Sequence, residues 1–481
     1  MRNGASTGLG RLHRLPLAAQ LVGVLALADT SASLAASTWI VDSCSNNNSG
    51  AGNTGTLRYA LAHAADGDTV DMSGLACSTI SLTESGTTAA SLSFGSGTIT
   101  ILGPGRDKLT ITGNITRRIF YHPLPGASLG SLLVLKDLTL SEGTAYAGPT
   151  GPGAGGCIDT IYAVELDRVT LTDCHATGGG GAISAAGVTL DHSTIMNSVA
   201  NGNGGGILAN QVNLTGSTVI FNGTTGNGGG IWGSDVSLTD STVSFNTAGI
   251  ESTSKQGGGM FVTGNLTLTR STVDHNTAYG GQGGITAYNG SPGSLTATII
   301  DSTISSNEAS NGVGGIYANS GVVKVYNSTI AFNKAGLDAA EFAAGMATGN
   351  LYGDLDLRFH SALISNNYGG ATPRDFSLLN GATGYSASIS GANNLVRFPN
   401  VAASAFDRSG CSRLGPLRNN GGPTPTHALL SGSQAINVGD NVEGLPNDQR
   451  GAPFGRTVGV PDIGAYEVQA EIIFDAGFDD C

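Results

Sequence analysis

The chain is short of charge, of long apolar runs and of helical periodicity. Only 12% of its 481 residues are charged, and acids exceed bases by 35 to 22, a net charge of −13. That balance denies it the basic face that nucleic acid requires. It also disfavours an electrostatic grip on an anionic membrane surface or an acidic polysaccharide, local basic clefts aside. Beyond residue 28 no segment is apolar enough to span a bilayer, so no membrane span is expected after removal of an export signal. The six cysteines show neither CxxC nor Cys/His spacing, which argues against zinc, and no metal ligand set is assigned. The runs between strand-like segments lack a helical pattern, which excludes crossover helices. Tight two-residue turns are missing as well, which excludes an antiparallel meander.

Glycine, by contrast, is abundant at 75 residues, and it is periodic rather than scattered. One phrase, apolar-x-apolar-x-x-Ser-Thr-aliphatic-x-x-Asn, recurs as VNLTGSTVIFN (212–222), VSLTDSTVSFN (236–246), LTLTRSTVDHN (266–276), ATIIDSTISSN (297–307) and VKVYNSTIAFN (323–333). Its first apolar position can be followed through Leu109, Leu138, Val169, Val188, Val212, Val236, Leu266, Ala297 and Val323, at separations within the period of stacked-repeat folds. Within each copy apolar residues alternate with polar ones, the mark of a strand with one buried face. Short strands of this kind, with no partner by hairpin or helix, stack as coils of about 25 residues, each about 4.8 Å above the last. The expected fold is therefore all-β, a right-handed parallel β-helix.

The columns have chemical reasons. Asn222, Asn246, Asn276, Asn307, Asn333 and Asn366 fall at one phase, where Asn tolerates a left-handed bend and its amide can form a ladder with the copies above and below. The glycine triplets at 204–206, 228–230 and 257–259 mark another corner. Ser193, Ser217, Ser241, Ser271, Ser302 and Ser328 have no aligned His or Asp, and read as a small polar ladder rather than as nucleophiles.

In chain order, Arg2, Arg11 and Arg14 precede the apolar run 15–28, the pattern of an export signal over 1–36. Residues 37–95 read as an N-terminal cap with first strands, where Leu57, Ala60, Leu61 and Ala64 make a helical stripe suited to closing an open coil end. The coils run over 96–410, a compact module over 411–468 and a tail over 469–481. Six cysteines suit an oxidising compartment. Cys44 and Cys77 flank the first mature segment. Cys157 and Cys174 take a glycine corner and the Ser slot, and Cys411 and Cys481 remain; pairing is expected, with connectivity open. In GDLDLRFHSALISNN (353–367) the Ser and Asn slip by one residue, so Asp356 and Arg358 would fall on the buried phase unless a bulge turned them out.

GTLRYALAHAADGDTV and ILGPGRDKLTITGN resemble the start of bacterial exported β-helix proteins of the CSLREA type. The stretches NNGGPTPTHALL, DQRG and DIGAYE are similar to the choice-of-anchor Q domain, and GGGI with VxxN or IxxN resembles polymorphic outer membrane protein repeats. Phe is absent from the FxxN slot of those repeats, and no carboxy-terminal β-barrel follows. The resemblance implies a pectin-lyase-like solenoid exported to the cell surface or secreted, and no shared catalytic residues.

Two functions fit. The first is adhesion or glycan binding without catalysis, with glycans or cell-surface components as partners and Trp232, Tyr279, Tyr288 and Tyr317 as exposed aromatic contacts; Trp232 and Tyr317 follow the GGxI aliphatic and should point outward from one sheet. The alternative is a polysaccharide lyase acting on uronate-containing glycans, in which Asp354, Asp356, Arg358 and His360 share a strand face. There a calcium ion or an arginine would neutralise the uronate and a base remove its α-proton. No cofactor enters outside that alternative. No basic strand is expected in phase one coil earlier. Asp235, Asp240 and Asp274 are the carboxylates a glycoside hydrolase would use, but the column of Asp240 varies through Gly216, Arg270, Asp301 and Asn327 and reads as decoration. His175, His192 and His275 read as surface residues. Asp448, Arg450 and Asp462 would make internal salt bridges or a weak calcium site.

Overall fold

A computed structural model describes residues 35–469, apart from 83–90, 96, 123–129, 148–152, 253, 289–294, 337–342, 352, 370–373 and 380–383. The chain divides into two compact units, Met1–Ala35 and Ala36–Cys481. All but the last two residues of the expected export signal lie outside the described residues, and the described residues beyond Ala35 belong to the second unit.

Among the described residues the coils build three sheets of 22, 12 and 9 strands, here the wide, middle and narrow sheets. Within these sheets the described strands pair in parallel except where Gly50–Ala51 meets Thr54–Thr56. The fold is a right-handed parallel β-helix. Its register repeats without a slip in the wide sheet: Val188, Val212, Val236, Leu266, Ala297, Val323 and Leu357 stand directly above one another. All are buried. This stack of aliphatic rungs, each contributing about 1.5–3 kcal/mol by leaving water, is what makes a coil adhere to its neighbours. The early coils have a different phase from the one expected. Ile99, Leu133 and Val164 lead into Val188, whereas the Val169 amide donates to the Ser193 hydroxyl, so Val169 occupies the later serine slot, as do Leu138 and Leu109 below it.

Amides turn one corner. The Nδ2 of Asn222, Asn246, Asn276, Asn307 and Asn333 each donates to the Oδ1 of the amide one coil on, at 2.9–3.0 Å. The last acceptor is Asn367, not Asn366. Leu363 pairs with Thr329, so Asn366 falls in the preceding column. That preceding column, rather than the ladder, takes the left-handed backbone: Phe221, Phe245, His275, Ser306, Phe332 and Asn366 have φ of 51–60°. The strain of about 1–2 kcal/mol per corner is offset by the bonded amides. Asp375 ends the ladder, its Oδ1 accepting both Asn367 Nδ2 and the Asn367 amide. The glycine corner is sterically closed. A Cβ on Gly228, at φ 71°, would stand 2.3 Å from the Ile231 carbonyl oxygen.

The helix Leu57–His63 is capped by the Thr56 hydroxyl, which accepts from the Tyr59 amide, and it buries Leu57, Ala60 and Leu61. Disulfides join Cys44 to Cys77 and Cys157 to Cys174. Cys174 stands in the amide column and not in the serine slot, since its amide donates to Ser198, whose own amide donates to Asn222 Oδ1. Cys411 is disulfide-bonded as well, and Cys481 lies outside the described residues. From Cys411 to Gln469 the described residues form only isolated bridges and bond across the middle sheet within the same compact unit.

Candidate functional site

The strand Leu355–His360 pairs without a bulge with Gly321–Tyr326 and Ala387–Ala392. Simple alternation buries Leu355, Leu357 and Phe359 and turns Asp356, Arg358 and His360 outward. The serine moved, not the strand: Ala362 takes the place of Ser328. The register also sets Lys324 directly opposite Arg358, so a basic residue does lie in phase one coil earlier, contrary to expectation. The four polar residues nevertheless do not converge. Arg358 places Nε and Nη2 on Asp356 Oδ2 at 2.9 and 2.6 Å, which holds the Asp356 carboxyl below its usual range. Asp354 accepts from the amide and hydroxyl of Ser386, with the same effect. His360 lies instead 3.5 Å from Asp440 and edge-on to Tyr326.

The aromatic set is dispersed too. Tyr317 is only 9% exposed, packed with Val313, Ala347 and Leu379, so it is not an outward platform. Trp232 and Tyr288 are half-buried on the wide sheet. Tyr279 is exposed but follows Thr277–Ala278 on the narrow sheet. The hydrolase carboxylates likewise lie apart. Asp235 accepts from Asn265 on the wide sheet, Asp240 binds Arg270 at the corner, and Asp274 is buried against His275 on the middle sheet, where desolvation raises its carboxyl. Among the described residues no group of three or more His, Cys, Asp or Glu could hold a metal ion. Asp448 instead binds Arg450 at 2.6 Å, the guanidinium lying between Phe454 and Tyr466 at 3.9 and 3.8 Å. Asp462 caps the amides of Asn437 and Val468.

What the repeats do bring together is the outer face of the middle sheet. Thr79, Thr110, Thr139, Thr170, Thr194, Thr218, Thr242, Thr272, Thr303 and Thr329 form one unbroken column. Two residues along each strand, Ser81, Thr112, Ser141 and Thr172 add a second row of hydroxyls over the first coils. Each strand is flanked by left-handed corner residues, which must project outward. One edge carries Asp137, Arg168, His192, Gly216, Asp240 and Arg270. There Arg168 grips Asp137, and Arg270 grips Asp240 with two bonds of 2.8 and 2.7 Å. The other edge carries an exposed ring stack, Phe221 on Phe245 at 5.1 Å and Phe245 on His275 at 4.6 Å and 8°.

The segment after Cys411 closes the far end of this face. Thr272 donates to the Pro425 carbonyl and Thr303 to Gln449 Oε1, and Thr329 accepts from the Ala465 amide. His427 Nδ1–H donates to the Gly415 carbonyl at 2.7 Å, which leaves Nε2 to accept from the Ser305 hydroxyl at 2.8 Å. Ser305 is fully buried, so this pair anchors the segment and is out of reach of a substrate. Arg456, fully buried, sits 3.6 Å from Asp301, whose carboxyl burial pushes up to about 7. Two clefts open where the segment meets the sheet. One, of about 660 Å³, lies on the ion-paired edge between Thr218, Thr242, Arg270, Pro423, Pro446 and Asn447. The other, of about 650 Å³, continues the aromatic edge past His275 to Phe332, Tyr368, Leu417 and His427. The repeats carry a signal for this face, a Thr after every Ser and a variable residue before every ladder Asn. The Ser and Asn columns mask it, because they have structural explanations of their own.

No family model matches the chain, so the CSLREA-type, choice-of-anchor Q and polymorphic-repeat likenesses rest on their motifs alone. No curated protein matches it by sequence. Among solved structures it is similar to the crystal structure of pectate lyase Pel9A, at 13% identity over 90% of this chain and 97% of that chain, with a TM-score of 0.33. At that distance neither residues nor activity transfer.

Proposed function

We propose that this chain is an exported β-helix protein that binds glycans, at a cell surface or after secretion, and performs no catalysis of its own. The binding face is the outer face of the middle sheet. The observation that carries this reading is the solvent-exposed stack Phe221–Phe245–His275, running beside a hydroxyl column and leading into a cleft that Phe332, Tyr368 and His427 line. Rings offer flat apolar area to the faces of sugar units, and threonines offer donors and acceptors to their hydroxyls. The disulfides suit an oxidising exterior, and among the described residues no helix is long and apolar enough to cross a membrane.

A glycan array with the intact protein tests this. Phe221→Ala/Phe245→Ala should weaken retention about tenfold or more, from about 1 kcal/mol of covered surface per ring, while Trp232→Ala leaves it unchanged. Retention that depends on Trp232 and ignores both phenylalanines would sink the choice of face.

A further inference from the structure

We infer that the glycan is an uncharged linear chain laid along the threonine column, with one end lodged in the cleft where the C-terminal segment closes that column. This rests on the glycan-binding reading and adds to it the charge of the ligand and the way it is held.

The column is a single surface with two states. At Thr272, Thr303 and Thr329 it is buried and bonded to the carbonyls, amides and side-chain oxygens of the docked segment. From Thr79 to Thr242 the same rungs reach solvent, and the hydroxyls of Thr218 and Thr242 have no partner among the described residues. The docked segment therefore shows what this column accepts, a linear backbone rich in uncharged donors and acceptors. It also shows where a second such chain must stop. Thr242 is partly open and Thr272, one coil on, is completely covered, so a chain following the rungs runs against Pro423, Pro446 and Asn447. A polymer that passed through would have to displace the segment.

Charge decides the ligand class. The cations that line this cleft are matched, and Arg106 beside it donates to the His192 carbonyl. Arg270 gives two donors to the two oxygens of Asp240. Arg450 is bound to Asp448 and held between two rings. His192 lies against Asp191. A uronate or sulfate would have to desolvate its charge with no cation in surplus among the residues that line the cleft. A neutral sugar meets no such cost.

The test titrates the full mature protein with cellohexaose, xylohexaose, mannohexaose, laminarihexaose and hexagalacturonate, in low and high salt, and then with longer chains of whichever sugar binds. A neutral hexasaccharide should bind, with less than a twofold change between salts and with hexagalacturonate at least tenfold weaker. One protein should bind per chain at every length, because binding follows chain ends. The isosteric pair Thr218→Val/Thr242→Val should lower affinity at least fivefold, with thermal unfolding as the control for folding. Preference for hexagalacturonate, or protein bound per chain rising with length, would overturn the inference and leave glycan binding intact. If no probe binds, the glycan-binding reading falls and the inference falls with it.

Discussion

Asp375 is the best place to test how the fold is held. Its side chain is fully buried at the end of the amide ladder, one oxygen accepting Asn367 at 2.8 and 2.9 Å, the other without a partner. Burial outweighs these bonds and the attraction of Arg397, and pushes the carboxyl from 3.8 to about 6. The folded state therefore keeps a proton that the unfolded chain has already lost. Because the folded value is raised, the unfolding free energy falls as pH rises from about 4 to above 6, by about 3 kcal/mol for a shift of about two units. Asp375→Asn removes that dependence. Its oxygen still accepts from Asn367, while its NH2 inherits the unpartnered position at a cost of about 1 kcal/mol. The variant should be more stable than the parent by about 2 kcal/mol at pH 8 and less stable by about 1 kcal/mol at pH 4. Urea unfolding across that range measures both. A difference that does not change sign, or does not vary with pH, would refute the account of the ladder's end.

Three further outcomes are expected in the coils. Asn276→Ala strips four hydrogen bonds from a fully buried site and orphans the Asn246 backbone amide, so urea unfolding should show a loss of about 3–5 kcal/mol. Gly228→Ala forces a Cβ to 2.3 Å from the Ile231 carbonyl at φ 71°; it should lower the melting temperature by more than the loss of a surface side chain does, and proteolysis should open that corner first. Cys157→Ser/Cys174→Ser opens a link between residues 17 apart and should cost about 3 kcal/mol, read as a shift of the urea midpoint.

The solenoid was legible because its cause is local and repeated. Val212/Leu214 and Val236/Leu238 alternate with polar residues, and a period of two can bury one face only in a strand. Phase was harder to read. Val169 and Ser193 are equivalent, yet one is aliphatic and the other hydroxylic. The motif therefore placed Leu109, Leu138 and Val169 one strand out of step. SALISNN misled for a similar reason, since the pattern cannot say whether the strand or its serine has shifted, and only the pairing of Leu363 with Thr329 decides. Tyr317 faces outward as its phase demands, but Val313 just before it and Leu379 from a later coil cover it, and the second of these cannot be read from the local pattern.

Ladder and corner divide what the fold consumes from what it leaves free. A ladder Asn is fixed by four bonds and cannot vary without loss. The residue before it is fixed only in its backbone, which must be left-handed, and its side chain is thereby thrown outward. Phe, His and Ser can alternate there at similar cost to the corner, and so can Asp and Arg on the opposite edge, where Gly costs less. A β-helix of this kind therefore acquires chemistry along its corners while its strands stay repetitive. Variation in those two columns is where a ligand would be selected, and the threonines between them supply a footing that is the same on every coil.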